Sequence, residues 1–495
     1  MRILIVSPEA NPFARAGALA EVIYGLSRAL TQEGHQVTVV IPYYRQVKDA
    51  HFKIAPVGKT LSVPLSIKTL TAEIFTAWLT PALNFYFIGQ DSLFDRDGLY
   101  GTPYGDYQDN AERFIFFSRA VPELLKTLEL PFDVCHCHEW QTGLIPVYLR
   151  TLYQNTPYCQ GLPIVYTVHN VGYQGIFWHY DMALTGLGWE YFTPKLLEFY
   201  GKINLEKGGL ITADIITTVS RTYRQEILTP EFGFGLEGVF QERADDLYGI
   251  LNGVDYDSWD PAHDRFLPAF YDANDLSGKE VCKRDLIQHF GLDLGWQQPL
   301  VGMTTRLNER KGLDLVHAIM PQLVEAGVGF VLQGTGEERY QYAFTELHNR
   351  YPKAVGVEIG YSVALAHRII AGADIFLMPS RYEPCGLDQL YCLRYGTIPV
   401  VRAVGGLEET IAEYDPATGR GTGFKFANFA AEDLMAAVNR ALALYQDAPA
   451  WANLRRQAMQ QEFSWRQAAV QYLEIYEKAR EKRRALEARA SSHAS

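Results

Sequence analysis

The segment Pro379-Ser380-Arg381-Tyr382-Glu383-Pro384-Cys385-Gly386-Leu387 sets a carboxylate against a Pro-Cys-Gly turn. It lies between the apolar run Ile375-Phe376-Leu377-Met378 and a helical run from about Asp388 to Tyr395. A strand-to-helix turn of this kind puts Glu383 at the carboxyl edge of a sheet. The Gly386 and Leu387 amides then fall at the start of the next helix, where unsatisfied N–H groups and the helix dipole favour anions. An acceptor for sugar hydroxyls beside bare amides for phosphate is what a nucleotide-sugar site needs. The plain alternative is a structural turn with an exposed glutamate.

Arg306 and Lys311 follow the strand-like run Leu300–Thr304, in the loop at its carboxyl end. A guanidinium fork and an ammonium point charge together can neutralise a leaving diphosphate; the alternative is an ordinary basic surface loop. His169 and Asn170 close the run Ile164–His169, and Asn252 sits in a Leu-Asn-Gly-Val turn. Their imidazole and amide groups suit sugar hydroxyls.

Two patterns suggest metals. Along a strand, Cys135-His136-Cys137-His138 puts the cysteines on one face and the histidines on the other, and no second ligand pair at zinc spacing follows. Asp95-x-Asp97 and Asp255-x-Asp257 match a metal-binding Asp-x-Asp, but Arg306 and Lys311 already answer the phosphate charge. No metal and no cofactor are expected.

The elements that must position these residues alternate between strand and helix. Arg2–Val6, a helix over Ala18–Gln32 closed by Gly34, and Gln36–Pro42 form a βαβ unit. Strand-like runs follow at Phe85–Gly89, Val134–His138, Ile164–His169 and Ile215–Val219. A second series covers Leu300–Thr304, Gly329–Gln333, Val355–Ile359, Asp374–Met378 and Ile398–Arg402, interleaved with helices near Leu313–Glu325, Arg339–Arg350 and Ala364–Ala371. The pattern predicts two mostly parallel sheets with helices on both faces, joined near residues 250 to 265. Such domains face one another across a deep cleft between their sheets' carboxyl edges. At 495 residues the chain is too long for one core.

A net charge of −12 argues against nucleic acid or an anionic membrane as partner. No apolar run spans a membrane, the amino terminus reads as a strand and not as a signal peptide, and six cysteines are scattered without a disulfide framework. A cytoplasmic protein is expected. Eight Trp and thirty Tyr provide many flat faces suited to carbohydrate stacking, though most are expected to fill cores. A dehydrogenase would share this doubled architecture, but the first βα loop, Ala14-Arg15-Ala16-Gly17-Ala18-Leu19, lacks the Gly-x-Gly-x-x-Gly cradle.

Across essentially the whole chain the motifs resemble, in order, those of the bacterial glycogen and starch synthases (glycosyltransferase family 5). They are Ser7-Pro8-Glu9, His136-Cys137-His138-Glu139-Trp140, Thr167-Val168-His169-Asn170-Val171, Tyr173-Gln174-Gly175, Asn252-Gly253-Val254-Asp255, Thr305-Arg306-Leu307, Arg310-Lys311-Gly312, Glu383-Pro384-Cys385-Gly386-Leu387, Gly405-Gly406-Leu407 and Phe463-Ser464-Trp465. The resemblance implies two Rossmann-like doubly wound α/β domains of the GT-B type. These are an acceptor-side domain at 1–255, a donor-side domain at 256–465, and a closing helix and tail at 466–495, with Ser491–Ser495 expected to be disordered. It implies a retaining transfer of glucose from ADP-glucose to the 4-hydroxyl at the non-reducing end of an α-1,4-glucan, with the domains closing on the donor. UDP-glucose remains open as donor, glycogen and starch-like glucan as product, and the oligomeric state is not read.

By the same resemblance Arg306 and Lys311 contact the donor diphosphate, with Arg15 and the Gly17 amide assisting. His169 and Asn252 line the glucosyl pocket, Glu383 holds sugar hydroxyls, and Cys385, Gly386 and Leu387 complete the donor side. Glu139 and Tyr104 face the acceptor, and Tyr391 replaces the second Glu of the broader retaining pattern. Four departures stand out: Arg15 and Ala18 where the family has Lys and Gly, and Glu21 and Glu139 where it has Asp. The Ala18 methyl should either hold the first loop back from the diphosphate or strain its backbone, with the longer Arg15 reaching across. A same-fold enzyme with another donor or acceptor, and a weakly catalytic glucan-binding or priming homologue, remain as alternatives.

Overall fold

The short Val- and Ile-rich runs of the first half are buried on both faces, which only a sheet covered on both sides allows. In the computed structural model, which describes residues 1–102 and 104–493, they form one nine-stranded sheet. Its strands are β1 (Arg2–Val6), β2 (Gln36–Pro42), β3 (Ala55–Leu65), β4 (Lys68–Thr80), β5 (Leu83–Gly89), β6 (Val134–His138), β7 (Ile164–Val168), β8 (Ile215–Thr218) and β9 (Leu247–Gly249). The spatial order is β9-β8-β7-β6-β1-β2-β5-β4-β3. Pairing is parallel from β9 to β5, while β4 runs antiparallel to both β5 and β3.

The β3–β4 hairpin is not expected from the sequence. Its residues alternate between buried and exposed along much of their length, as one face of an antiparallel edge meets water, and Thr and Lys dilute the apolar signal. The first helix, Leu19–Gln32, starts one residue later than the pattern suggests, and Gly34 follows its end with φ +88°.

The chain divides into two units, Met1–Gly253 with the segment from Trp465 onward, and Val254–Ser464. The closing helix, Trp465–His493, therefore packs as part of the first unit. Gly25 in the first helix makes room for it: a Cβ there would lie 2.1 Å from Trp465 Nε1. Tyr476 of the closing helix meets His136 Nδ1 at 2.9 Å beneath the sheet, and Lys482 pairs with Asp246 at 2.5 Å. The helix runs unbroken through Ser491 to His493, contrary to the expected disorder there; Ala494 and Ser495 lie outside the described residues.

The second unit has a six-stranded, all-parallel sheet: β10 (Leu300–Leu307), β11 (Gly329–Gly336), β12 (Val355–Ile359), β13 (Ile375–Met378), β14 (Ile398–Arg402) and β15 (Phe424–Phe426). Their order is β12-β11-β10-β13-β14-β15. Helices Leu313–Glu325 and Glu338–Arg350 lie where the periodicity puts them, within a residue. The strand β10 is three residues longer than expected, so Arg306 belongs to a strand and not to a loop. Among the described residues no helix is long and apolar enough to cross a membrane.

Candidate active site

In the second unit the loops that leave β10 and β13 lock together. Gly312 sits at φ +67°, and a Cβ on it would fall 2.0 Å from the Pro379 carbonyl oxygen, so only glycine permits the contact. The Arg381 amide donates to the Arg310 carbonyl at 2.8 Å. This lock delivers Lys311 Nζ to Glu383 Oε2 at 2.5 Å, and Ser380 Oγ donates to the same oxygen at 2.9 Å. Burial acts to raise the Glu383 pKa, but Lys311, Arg310 and the two hydrogen bonds outweigh it and hold the carboxyl below its ordinary value. Glu383 is therefore an anion at neutral pH.

The turn beyond Glu383 is held from two sides. Gly386 adopts φ +72°, and Gln389 Nε2 donates to the Cys385 and Gly386 carbonyls at 2.9 and 3.1 Å. Gly405 and Gly406 lie on the backbone of Glu383 and Cys385, where any Cβ would come within 1.9 Å of a carbonyl oxygen. The Gly406 amide also donates to the Glu383 carbonyl at 3.0 Å. The Gly-Gly motif thus buttresses the carboxylate turn, a role its spacing in sequence does not reveal. Among the described residues the Gly386 and Leu387 amides donate to no backbone or side-chain acceptor. The helix they precede, Asp388–Arg394, has only seven residues, so the two amides contribute more than its dipole does. Arg306 is exposed at the end of β10, in register with Thr335.

In the first unit the loop after β1 differs from expectation. The buried Glu9 carboxylate accepts from the Ala16 and Gly17 amides, the latter at 3.1 Å, so the Gly17 amide assigned to a diphosphate is committed to Glu9. A turn whose amides grip a carboxylate is an anion-holding nest, and Ser7-Pro8-Glu9 is the only sequence hint of it. Arg15 pairs with Glu21 at 2.7 Å, and its amide donates to Gln46 Oε1 at 2.6 Å. Ala18 has φ −69° and ψ −21°, ordinary helical values, so the expected strain is absent and alanine fits the first turn as it stands.

Glu139 caps β6 at φ +66° and ψ 166°, a conformation that costs a side-chain-bearing residue of order 1–3 kcal/mol. The distortion turns its carboxylate onto the next strand: Oε1 accepts from the His169 amide at 2.6 Å and the Asn170 amide at 3.3 Å. Burial pushes its pKa up to about 8, more than these two amides lower it, with Glu9 adding to the rise. Glu139 is thus neutral at pH 7. The fold prefers its protonated form, so stability should fall as pH rises from 4.5 to about 8. Glu139→Gln should remove that slope, and its Tm relative to the native protein should climb between pH 5 and pH 8. A constant difference across that range would refute the assignment.

His169 Nε2 meets His138 Nδ1 at 3.0 Å, and His138 in turn packs against His136 with ring centroids 4.0 Å apart. Burial lowers the His169 pKa to about 3, which leaves a neutral imidazole. The Cys135 and Cys137 sulfurs lie 3.6 Å apart on the opposite face, and all six cysteines are free and buried. Asn252 is buried, and its Oδ1 has no hydrogen-bond partner among the described residues. Tyr104 stands fully exposed at a hairpin tip, with no ring contact among the described residues. Within each unit the structure therefore joins Lys311 to Glu383, Arg15 to Glu21, and Glu139 to His169. It leaves Tyr104 apart, and it adds Ser380, Glu9 and His138.

The first half of the chain matches the starch synthase catalytic domain over residues 2–242, and residues 287–460 match the group 1 glycosyl transferases. A glycogen synthase of Koribacter versatilis is 47% identical over 98% of this chain and 99% of its own length. One from Thermodesulfovibrio yellowstonii is 42% identical over 96% and 97%. The solved catalytic domain of starch synthase IV from Arabidopsis thaliana, bound to ADP and acarbose, superposes with a TM-score of 0.89. It is 33% identical and is matched over 97% of this chain and 99% of that one. A sucrose-phosphate synthase from Thermosynechococcus elongatus, 17% identical with a TM-score of 0.61 over 96% and 98%, shares the two-domain GT-B fold alone. With near-complete coverage at this identity, the chain belongs to the glycogen and starch synthase family of glucosyltransferases.

Proposed function

We propose that the chain elongates α-1,4-glucan by transferring glucose from ADP-glucose to the 4-hydroxyl at the non-reducing end, with retention at the anomeric carbon. The observation that carries this reading is the Lys311–Glu383 pair, 2.5 Å apart beside the open Gly386 and Leu387 amides. As the bond to the leaving nucleotide breaks, negative charge grows on the diphosphate. Lys311, already oriented by Glu383, whose carboxylate Ser380 holds in turn, and Arg306 stabilise that charge without reorganising. Glu383 accepts from sugar hydroxyls as positive charge develops at the anomeric carbon. Cys385 shapes the turn that presents the two amides. The adenine nucleotide is supported by the ADP held by the Arabidopsis relative.

The first unit supplies the acceptor side and the second the donor side. A neutral Glu139 and a neutral His169 suit an uncharged sugar, since neither leaves a buried charge without a partner. The orphaned Asn252 Oδ1 is a ready acceptor for a glucosyl hydroxyl. In the first loop Arg15 and Glu21 act as a pair, with Arg15 turning to phosphate. The free thiols fit a reducing compartment, the cytoplasm.

No metal is required by this reading. Asp95 and Asp97 are taken by Arg45 at 2.6 and 2.5 Å, and Asp255 is spent on the turn at Asp257 and Ser258. Among the described residues no three His, Cys, Asp or Glu side chains gather where an ion could sit. Elongation of maltooligosaccharides by single glucose units should therefore survive exhaustive EDTA treatment. A loss restored by magnesium or manganese would reinstate a metal.

A further inference from the structure

Three buried rings of the second unit lie face to face, and no step of the transfer uses them. Tyr391 stacks on Trp259 at 3.8 Å with 3° between the planes, and His367 stacks on Trp259 at 3.6 Å and 11°. Two rings this close to one centroid must cover its opposite faces, so Trp259 is the middle layer. The stack is held from outside. His367 Nδ1 meets Asp264 Oδ2 at 2.7 Å, and the Tyr395 hydroxyl donates to the same oxygen at 2.6 Å. Burial acts to raise the Asp264 pKa, but these two bonds and the Phe266 amide outweigh it and keep the carboxyl below its ordinary value. An ionised carboxylate only accepts, so His367 carries its proton on Nδ1 and the plane of its ring is fixed.

The segment that carries Trp259 grips the helix Asp388–Arg394 along one side. Trp259 meets Tyr391, and Asp260 pairs with Arg394, whose guanidinium also lies 4.7 Å over the Tyr256 ring. Asp264 holds Tyr395, just beyond the helix end. Residues three and four apart share a helix face, so Tyr391, Arg394 and Tyr395 all turn toward this segment. Near its start the same helix carries Gln389, whose Nε2 donates to the Cys385 and Gly386 carbonyls at 2.9 and 3.1 Å. Tyr391 and Gln389 are only about 3 Å apart along the axis. A displacement at Tyr391 is therefore passed directly to the turn that presents the Gly386 and Leu387 amides.

We propose that Trp259 is a positioning residue of the donor site: backed by His367 and Asp264, it fixes the helix through Tyr391 and so aims the Gly386 and Leu387 amides at the diphosphate. The inference rests on the glucan-elongating reading above, in which those amides face the donor. Core filling is the plain alternative, and the two roles differ in what truncation does. A residue that only fills the core lowers the amount of folded enzyme and leaves the binding constants of the remainder unchanged. A misplaced turn changes the constants themselves, and only those for the nucleotide.

The test measures the KM for ADP-glucose, the inhibition constant of ADP and the KM for glycogen in the native enzyme, Trp259→Leu and Trp259→Phe. Trp259→Leu should raise both nucleotide constants about tenfold, equivalent to roughly 1.4 kcal/mol. Its KM for glycogen should stay within about twofold, because the loss is confined to the donor. Trp259→Phe keeps a flat face for Tyr391 and should stay within about threefold of native in every constant. If Trp259→Leu fails to fold, Asp264→Asn serves: a neutral amide holds His367 and Tyr395 less firmly, and both nucleotide constants should rise about threefold. A lowered Tm with unchanged nucleotide constants would overturn the proposal, as would a glycogen KM that rises as much as the donor's. Failure of the glucan-elongating reading looks different: the native enzyme would not extend glycogen from ADP-glucose at all.

Discussion

Lys311→Ala should lower kcat with ADP-glucose by about a hundredfold or more, comparable to deleting one preorganised donor at a developing charge. Arg306→Ala should fall in the same range, because the two cations answer the same diphosphate. The Lys311 variant should also carry a second signature. In the native protein Lys311 is the leading charge that holds the Glu383 pKa down against burial. Without it burial prevails, Glu383 protonates nearer neutrality, and the acid limb of the pH–rate profile moves to higher pH. The stability that the low pKa contributes is present above the unfolded value of about 4.3 and is lost as pH falls through the folded value. In the variant, where burial raises the carboxyl above that value, this acid loss should disappear, and stability should instead fall as pH rises through the raised pKa. Near-native turnover with an unmoved acid limb would remove Lys311 from the site.

Glu383→Gln should cost a similar hundredfold or more, by removing the anion that both orients Lys311 and accepts from sugar hydroxyls. Ser380 can still donate to the glutamine carbonyl, so the loss reports on charge more than on folding. Because Lys311 and Glu383 share one contact at 2.5 Å, their effects should not add. The double variant Lys311→Ala/Glu383→Gln should be little worse than the poorer single variant, as for residues that act as a unit. Additivity within about 0.3–0.5 kcal/mol would mean that each works alone, and the reading of an oriented pair would fail.

Much of the fold is legible in the sequence wherever one physical signal dominates. Strands buried on both faces, such as Val134–His138 and Ile398–Arg402, can be read to the residue, because a short apolar run between turn residues matches little besides a covered strand. The β3–β4 hairpin cannot, since a half-exposed edge looks polar in sequence. The turn at Glu383 is placed by its neighbours, but its contact with Lys311 is not: it depends on the Gly312 and Pro379 backbones meeting, and those residues are far apart in the chain. The first loop misleads for the same reason. Ala18 looks strained only so long as a glycine conformation is assumed, and its helical φ removes the chief ground for a weakly catalytic homologue. Gly17 looks open until Glu9, which in sequence is part of a motif with no role of its own, proves to fill its amide. The closing helix carries no sequence sign that it packs with the first unit, because Tyr476 and Trp465 find their partners through the fold.

The most direct test of glucosyl transfer from a nucleotide diphosphate-glucose is nucleotide release from ADP-glucose and UDP-glucose, each with and without glycogen, with the product's new linkage identified. Glycogen-dependent release of ADP, faster than that of UDP, and chains lengthened by α-linked glucose are the expected result. Release that ignores glycogen, a β-linked product, or no product from either donor would contradict it.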